Sequence, residues 1–271
     1  MNANRDLWEK GDFTKLAETM RESSSEIVGK LGIKPGMEVL DVACGDGDTA
    51  IPAAKLGANV TGVDISRNLV KAAKMRAENE GVADHCKIYE GDVTDLKDQQ
   101  DESFDITISI FGAMFAPRPF DVAKELVRVT KKGGRIVMGN WIPGDPTLVA
   151  QILKVCAAYT PPPPEGFISP MLWGVESNVT DRFVSAGIPK ENISFEKETF
   201  TFIADYSPSV FLSNFRNYYG PTMNAFEAAE KNGKADSLQQ ELEALFTREN
   251  KSSDPDKLNI PVNFLKVTVN R

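Results

Sequence analysis

The chain is short of the groups that most enzymes use for nucleophilic and acid–base work. It has one histidine, His85, and three cysteines, Cys44, Cys86 and Cys156, in 271 residues. Cysteines this few and this scattered form neither a disulfide framework nor a zinc spacing, which suits a reducing cytoplasm. With no His/Cys cluster, no metal site is expected. Basic residues are also in deficit, 31 against 39 acidic, for a net charge of −8. Gripping a phosphate backbone requires a cationic face, so a nucleic-acid partner is not expected. The longest nearly apolar run, 106–116, falls well short of the ~20 residues a membrane helix needs. Met1 to Lys10 is charged and lacks an apolar stretch, so it does not read as a signal peptide. What remains, at 41% hydrophobic and 26% charged residues, is an ordinary globular chain long enough for one large domain or two small ones. It is expected in the cytoplasm, off the membrane, as a monomer or homodimer.

Between 38 and 142 the chain alternates short β-like runs with amphipathic stretches. The runs are 38–43, 59–65, 87–93, 104–111 and 135–141. In the stretch 66–79, Leu69, Val70, Ala73 and Ala77 recur near helical spacing. Apolar strands separated by helices predict a parallel sheet covered on both faces. Outside this region, 1–31 reads as helical, with Leu16, Met20, Ile27 and Leu31 on one stripe. A helix over 147–159 is stopped by Pro161–Pro164, and another ends near Gly187. Strands are expected near 194–203 and 263–269, completing the sheet. Between them, an aromatic-rich stretch over 205–220 and a helix over 221–250 read as a cap. The predicted layout is thus a lid at 1–31, a nucleotide-binding core at 32–142, and a C-terminal part at 143–271 carrying a cap at 205–250.

The sharpest signal is Val39-Leu40-Asp41-Val42-Ala43-Cys44-Gly45-Asp46-Gly47, an apolar strand with an acid, then a glycine turn that opens a helix near Thr49. Glycines permit positive φ and close approach of backbone to a ligand, and amides at a helix start favour an anionic group. A glycine pair alone is a weak signal. Two more acids sharpen it: Asp64 closes the second run, where ribose hydroxyls would lie, and Asp92 closes the third. Taken singly, each aspartate also reads as a helix N-cap. Three acids at the carboxyl edge of one parallel sheet read better as a ligand site.

These residues resemble the class I methyltransferases that use S-adenosylmethionine (SAM), in particular the small-molecule type-11 group that includes quinone-biosynthesis C-methyltransferases. The matching elements are the turn from Asp41 to Gly47, Asp64, Gly91-Asp92-Val93, Ser103-Phe104-Asp105 and Lys132-Gly133-Gly134, in family order. The resemblance implies a Rossmann-like, doubly wound, mostly parallel seven-stranded sheet with helical cap insertions. It implies SAM as cofactor, S-adenosylhomocysteine as product and a small molecule as acceptor. By the same resemblance, Gly45 and Gly47 approach the cofactor beside Ala43 and Cys44, and Asp41 helps hold its methionine end. Asp64 takes the ribose hydroxyls, Ile65 and Val93 flank adenine, Asp92 with Gly91 takes its amino group, and Ile110, Phe111 and Gly112 line the methionine moiety. Family members often carry glycine where Ala43 stands.

Methyl transfer from a sulfonium is an in-line displacement on an activated carbon, so proximity and exclusion of water can carry it. No catalytic base is assigned. His85 precedes the third strand at the wrong end of the sheet, and Cys44 has no neighbouring base or cation to make a thiolate. Candidates for the acceptor pocket are Trp8, Phe13, Met114, Phe115, Trp141, Tyr218 and Tyr219, joined by Phe111. Each of these aromatics also reads as packing that seals an interface, as Trp173 does. Two rivals stand beside this reading. Gly45-x-Gly47-x-x-Ala50 fits the loose dinucleotide pattern of a nicotinamide dehydrogenase, although no second nucleotide-binding half follows. A SAM-fold protein that senses a ligand or binds a partner without catalysis is the other.

Overall fold

A computed structural model of the chain describes residues 3–271; Met1 and Asn2, the start of the expected 1–31 segment, lie outside the described residues. The chain opens with α1 (Ala3–Glu9), α2 (Thr14–Ala17), a 3-10 turn at Glu18–Met20, and α3 (Arg21–Gly29). The central alternation follows: β1 (Glu38–Val42), α4 (Ala50–Lys55), β2 (Asn59–Asp64), α5 (Arg67–Asn79), β3 (Cys86–Glu90), β4 (Phe104–Ile110), α6 (Pro119–Val129) and β5 (Thr130–Trp141). After it come α7 (Leu148–Ala157), α8 (Glu176–Ser185), β6 (Ile193–Ala204), α9 (Pro208–Tyr218), α10 (Gly220–Lys231), α11 (Ala235–Glu249) and β7 (Leu258–Asn270).

The seven strands form one sheet in the order β3-β2-β1-β4-β5-β7-β6. β1 to β5 run parallel, and β7 pairs antiparallel with both β5 and β6. This is the doubly wound architecture expected from the sequence. Successive side chains of a strand point to opposite faces, and both faces here are covered. Val39, Ile106, Ile108 and Val137 join Ala50, Ile51 and Ala73 on one face. Leu40, Val42, Ile136 and Met138 join Val122 and Leu126 on the other. That double burial is why the strands read as continuous apolar runs. The strand order reverses between β1 and β4, and ligands of open α/β sheets sit in the crevice at that point.

Two local expectations need correction. The third strand ends at Glu90, so Asp92 lies in the loop beyond it rather than closing it. The expected single helix over 221–250 is two, α10 and α11, broken where Gly233 takes a φ of 65°. α11 packs on α7 and α9, and α9 on α2. The excursion between β6 and β7 and the N-terminal helices therefore meet each other.

Candidate active site

The turn between β1 and α4 is built on left-handed backbone. Ala43, Gly45 and Gly47 have φ of 52°, 55° and 89°. Glycine adopts these values freely, whereas Ala43 does so under strain. The turn folds back onto β2: the Gly45 amide donates to Asp64 Oδ2 at 2.8 Å, and the Ser66 amide to Oδ1 at 2.9 Å. Asp64 is 6% exposed, and burial pushes its carboxyl up to about 6 against the pull of those amides. Asp41, 1% exposed, accepts the Thr49 hydroxyl at 2.5 Å; burial raises it to about 7, with the charge of Asp64 adding to the effect. Burial also drives the Cys44 thiol well above its usual range, so it packs rather than reacts.

Two arginines staple this turn from outside. Arg21 of α3 makes a two-pronged contact with Asp46, 2.5 and 2.9 Å, and a further one with Asp48. Arg76 of α5 donates to the Asp46 carbonyl at 2.6 Å. The backbone that faces a ligand is thus held before the ligand arrives. At the third loop, Asp92 accepts from the amide and the hydroxyl of Thr94, at 2.9 and 2.7 Å.

One cavity runs from these strand ends to the cap and opens to solvent at its mouth. Its first half is lined by the turn residues Ala43, Cys44 and Gly45, by Thr49, by Asp64 at the end of β2, and by Ile65 just beyond it. Gly91, Asp92 and Val93 line it from the third loop, and Ile110, Phe111 and Gly112 from the end of β4. Phe111 holds a φ of 62°, rare for an aromatic residue. The strained backbone lays its ring flat on Trp141, centroids 3.6 Å apart and planes within 7°.

The second half is side chains from distant segments. Trp8 stands edge-on to Phe13, Phe115 and Tyr219, with centroids 5.8, 5.1 and 6.0 Å away. Leu16, Met20, Ser24, Phe202 and Phe215 complete that wall. Two glycines let the N-terminal segment dock this closely. A Cβ on Gly11 would stand 2.1 Å from the Tyr218 carbonyl, and one on Gly220 would stand 2.5 Å from that of Leu7. α1 is also tied to the first half. Arg5 donates to the Ile65 carbonyl at 3.1 Å and pairs with Glu90 at 2.7 Å. Glu9 grips Arg67 through both oxygens, which draws the Glu9 carboxyl down to about 2.

Four of the expected residues are not on the cavity wall. Asp41 and Gly47 lie beneath the turn, Asp41 acting on the wall through Thr49. Met114, 1% exposed, points into the core, because the tight turn Ala113–Phe115 sends adjacent side chains in different directions and gives the wall Phe115. Tyr218 packs against the core while its neighbour Tyr219 faces the cavity. Trp173 is core, edge-on to Phe183 at 6.1 Å. His85 is exposed beside Asn59, off the cavity. The sequence does not reveal the Arg21 and Arg76 staples, nor Ser24 and Phe202 on the wall. Phe215 comes from the aromatic-rich stretch expected in the cap, and Leu16 and Met20 from the predicted N-terminal stripe.

Residues 40–138 match the family described as a methyltransferase domain. The chain is 33% identical over 226 residues to an uncharacterized protein of Mycobacterium tuberculosis, covering 83% of this chain and 80% of that one. It is 32% identical over 133 residues to the sterol 4-C-methyltransferase of Caenorhabditis elegans, covering 49% of this chain and 40% of that enzyme. Over residues 40–138 the chain belongs to this methyltransferase-domain family. The same fold is seen in the phosphoethanolamine N-methyltransferase 2 of Haemonchus contortus, solved with phosphomonomethylethanolamine and S-adenosylhomocysteine. That match has a TM-score of 0.62 at 16% identity, and covers all of this methyltransferase and 60% of the worm enzyme. The match to a methyltransferase domain sets the dehydrogenase reading aside. The quinone-biosynthesis branch is not among these three relatives.

Proposed function

We propose that this methyltransferase transfers a methyl group to a small, largely apolar molecule, and that its two cavity halves divide the work. The observation that carries the reading is the continuity of one cavity from carboxylates at the strand ends to an aromatic wall. The residues present fit the cofactor. Gly45 presents open backbone to the cavity, with no atom within 4 Å of where a Cβ would stand, and Asp64 and Asp92 offer acceptors beside it. Asp64 would take the ribose hydroxyls and Asp92 the adenine amino group, with Ile65 and Val93 against the ring faces. Thr49, oriented by Asp41, and Ile110 to Gly112 would hold the methionine end.

When bound, SAM supplies a methyl group on a positively charged sulfur. The protein's part is to align, to exclude water and to stabilise charge with aromatic faces. No Lys, Arg or His side chain lines the described cavity, and no base is assigned. A phosphate ester, the kind of ligand held by the worm enzyme, would find no cation on this wall. The sterol methyltransferase relative, whose name specifies a hydrocarbon-rich acceptor, accords with it. Transfer is proposed to need no metal. The site is proposed to work in the cytoplasm, which suits three buried free cysteines; no described helix is long and apolar enough to cross a membrane.

The test is calorimetry with S-adenosylhomocysteine, followed by a screen of small apolar acceptors coupled to S-adenosylhomocysteine release, with and without EDTA. Binding plus EDTA-insensitive turnover is expected. Binding with no turnover on any acceptor would favour the non-catalytic reading. Activity lost to EDTA and restored by magnesium would overturn the metal-free mechanism.

A further inference from the structure

Two hydroxyls on the acceptor side of the cavity have no hydrogen-bond partner among the described residues. Tyr219, at the junction of α9 and α10, is 6% exposed, and its ring is fixed edge-on by Trp8 and by Phe215 at 5.2 Å. Its phenolic oxygen makes no hydrogen bond among the described residues. Ser24 of α3 is 2% exposed, lines the same cavity, and its hydroxyl is likewise unbonded. Elsewhere the fold satisfies its buried hydroxyls. Ser23, one residue away, bonds both the carbonyl and the amide of Thr201; Thr19 bonds the Leu16 carbonyl, and Ser109 that of Val42. Thr222, a further buried hydroxyl without an oxygen or nitrogen partner, is off the cavity and beside the Cys156 thiol. The Tyr219 and Ser24 oxygens differ from that of Thr222 in opening onto the cavity instead of being sealed in the core, so both are placed to hydrogen-bond a bound molecule.

Resting on the function proposed above, we infer that Tyr219 and Ser24 determine acceptor choice by hydrogen-bonding a neutral hydroxyl or carbonyl on an otherwise apolar acceptor. The charge of the wall argues for neutrality. Its acidic and basic side chains are all aspartates, on the cofactor half, so an anionic acceptor would be buried without a cation. A cationic acceptor would share a small, water-poor space with a sulfonium, where like charges repel strongly. A hydroxyl or carbonyl can pair with Tyr219 and Ser24 at no such cost. A site built to hydrogen-bond a substrate group also rejects analogues that lack it, because its own polar groups are then left unpaired.

The test uses the full chain saturated with sinefungin, an analogue whose ammonium keeps the positive charge that S-adenosylhomocysteine lacks, and four matched probes: 2-naphthol, naphthalene, 2-naphthoate and 2-naphthylmethylammonium. Dissociation constants are read by equilibrium dialysis. 2-Naphthol is expected to bind at least tenfold more tightly than the other three. Tyr219→Phe should weaken 2-naphthol about tenfold and Ser24→Ala about fivefold, while naphthalene changes less than twofold. Both substitutions keep the packing, and unchanged S-adenosylhomocysteine affinity will show that the variants are folded. Tightest binding by the anion or the cation, no binding of any probe at millimolar concentration, or unaltered 2-naphthol affinity in both variants would each overturn the inference. Failure of the wild-type protein to bind S-adenosylhomocysteine in calorimetry would instead overturn the cofactor assignment beneath it.

Discussion

The two halves of the cavity are made in different ways. In the half proposed for the cofactor, backbone does the shaping: a left-handed turn, strand ends and loop amides, all within residues 41–112 and held by Arg21 and Arg76. In the half proposed for the acceptor, side chains do it. Trp8, Ser24, Trp141, Phe202 and Tyr219 come from segments far apart in sequence and meet only through packing. A wall of backbone tolerates little change and fixes one ligand. A wall of side chains can be rebuilt residue by residue without disturbing the sheet. Cofactor binding and acceptor choice should therefore respond to different mutations, and the predictions below are arranged to separate them.

The largest effect is expected at Asp64. Asp64→Ala leaves its partners unpaired and should weaken S-adenosylhomocysteine binding by about 1–3 kcal/mol in calorimetry, roughly 5–150-fold. The same region should show in the pH dependence of the ligand-free protein. Asp41 and Asp64 have folded values raised to about 7 and about 6 from an ordinary 3.8. Between pH 4 and 7 the folded state therefore binds more protons than the unfolded state. Their contribution to stability is full below about pH 4 and is lost as pH rises through 6 and 7. Asp41→Asn should flatten that part of a urea-denaturation pH series; an unchanged slope would show that Asp41 is not raised.

Gly11 tests the other half. Gly11→Val sets a Cβ against the Tyr218 carbonyl, so it should cost tenfold or more in turnover while moving S-adenosylhomocysteine affinity less than about threefold. It separates the halves better than truncation of 1–20, because Arg5 bonds the Ile65 carbonyl and Glu90 and a deletion would disturb both. A residue outside both halves supplies a control. Arg182 is 3% exposed, its side chain makes no ion pair or hydrogen bond among the described residues and stacks 4.4 Å over Trp173, and burial pulls it down to about 10. An unpaired buried cation is costly, so Arg182→Met should raise stability by about 1–2 kcal/mol and leave both affinities unaltered. Smallest is Ala43→Gly, which relieves a left-handed φ and should stabilise by about 0.5–1 kcal/mol, read as a modest rise in Tm.

The same contrast governs what was legible in the sequence. The sheet and the Asp64 strand end were readable because a strand's period, its closing acid and the following glycine turn are all local. Gly45 and Asp64 lie 19 residues apart, yet the parallel pairing of β1 and β2 brings them within a hydrogen bond. Tyr219 and Ser24 could not be found that way. Each sits in an ordinary helical pattern, and only tertiary packing decides whether it meets core or cavity. Met114 illustrates the limit: it follows β4 as a pocket residue would, and one step of a tight turn sends it the other way.

β6 and β7 pair without a break from Ile193 with Val269 to Ala204 with Leu258. The chain leaves the sheet after 204 and re-enters it beside its point of departure at 258, having built α9, α10 and α11 in between. The hairpin's closure thus depends little on what is carried at its tip. That makes 205–257 a natural unit of exchange. A foreign cap grafted between Ala204 and Leu258 would inherit a ready-made donor site, and duplication followed by divergence of this one excursion is a short route to new acceptors on an unchanged sheet.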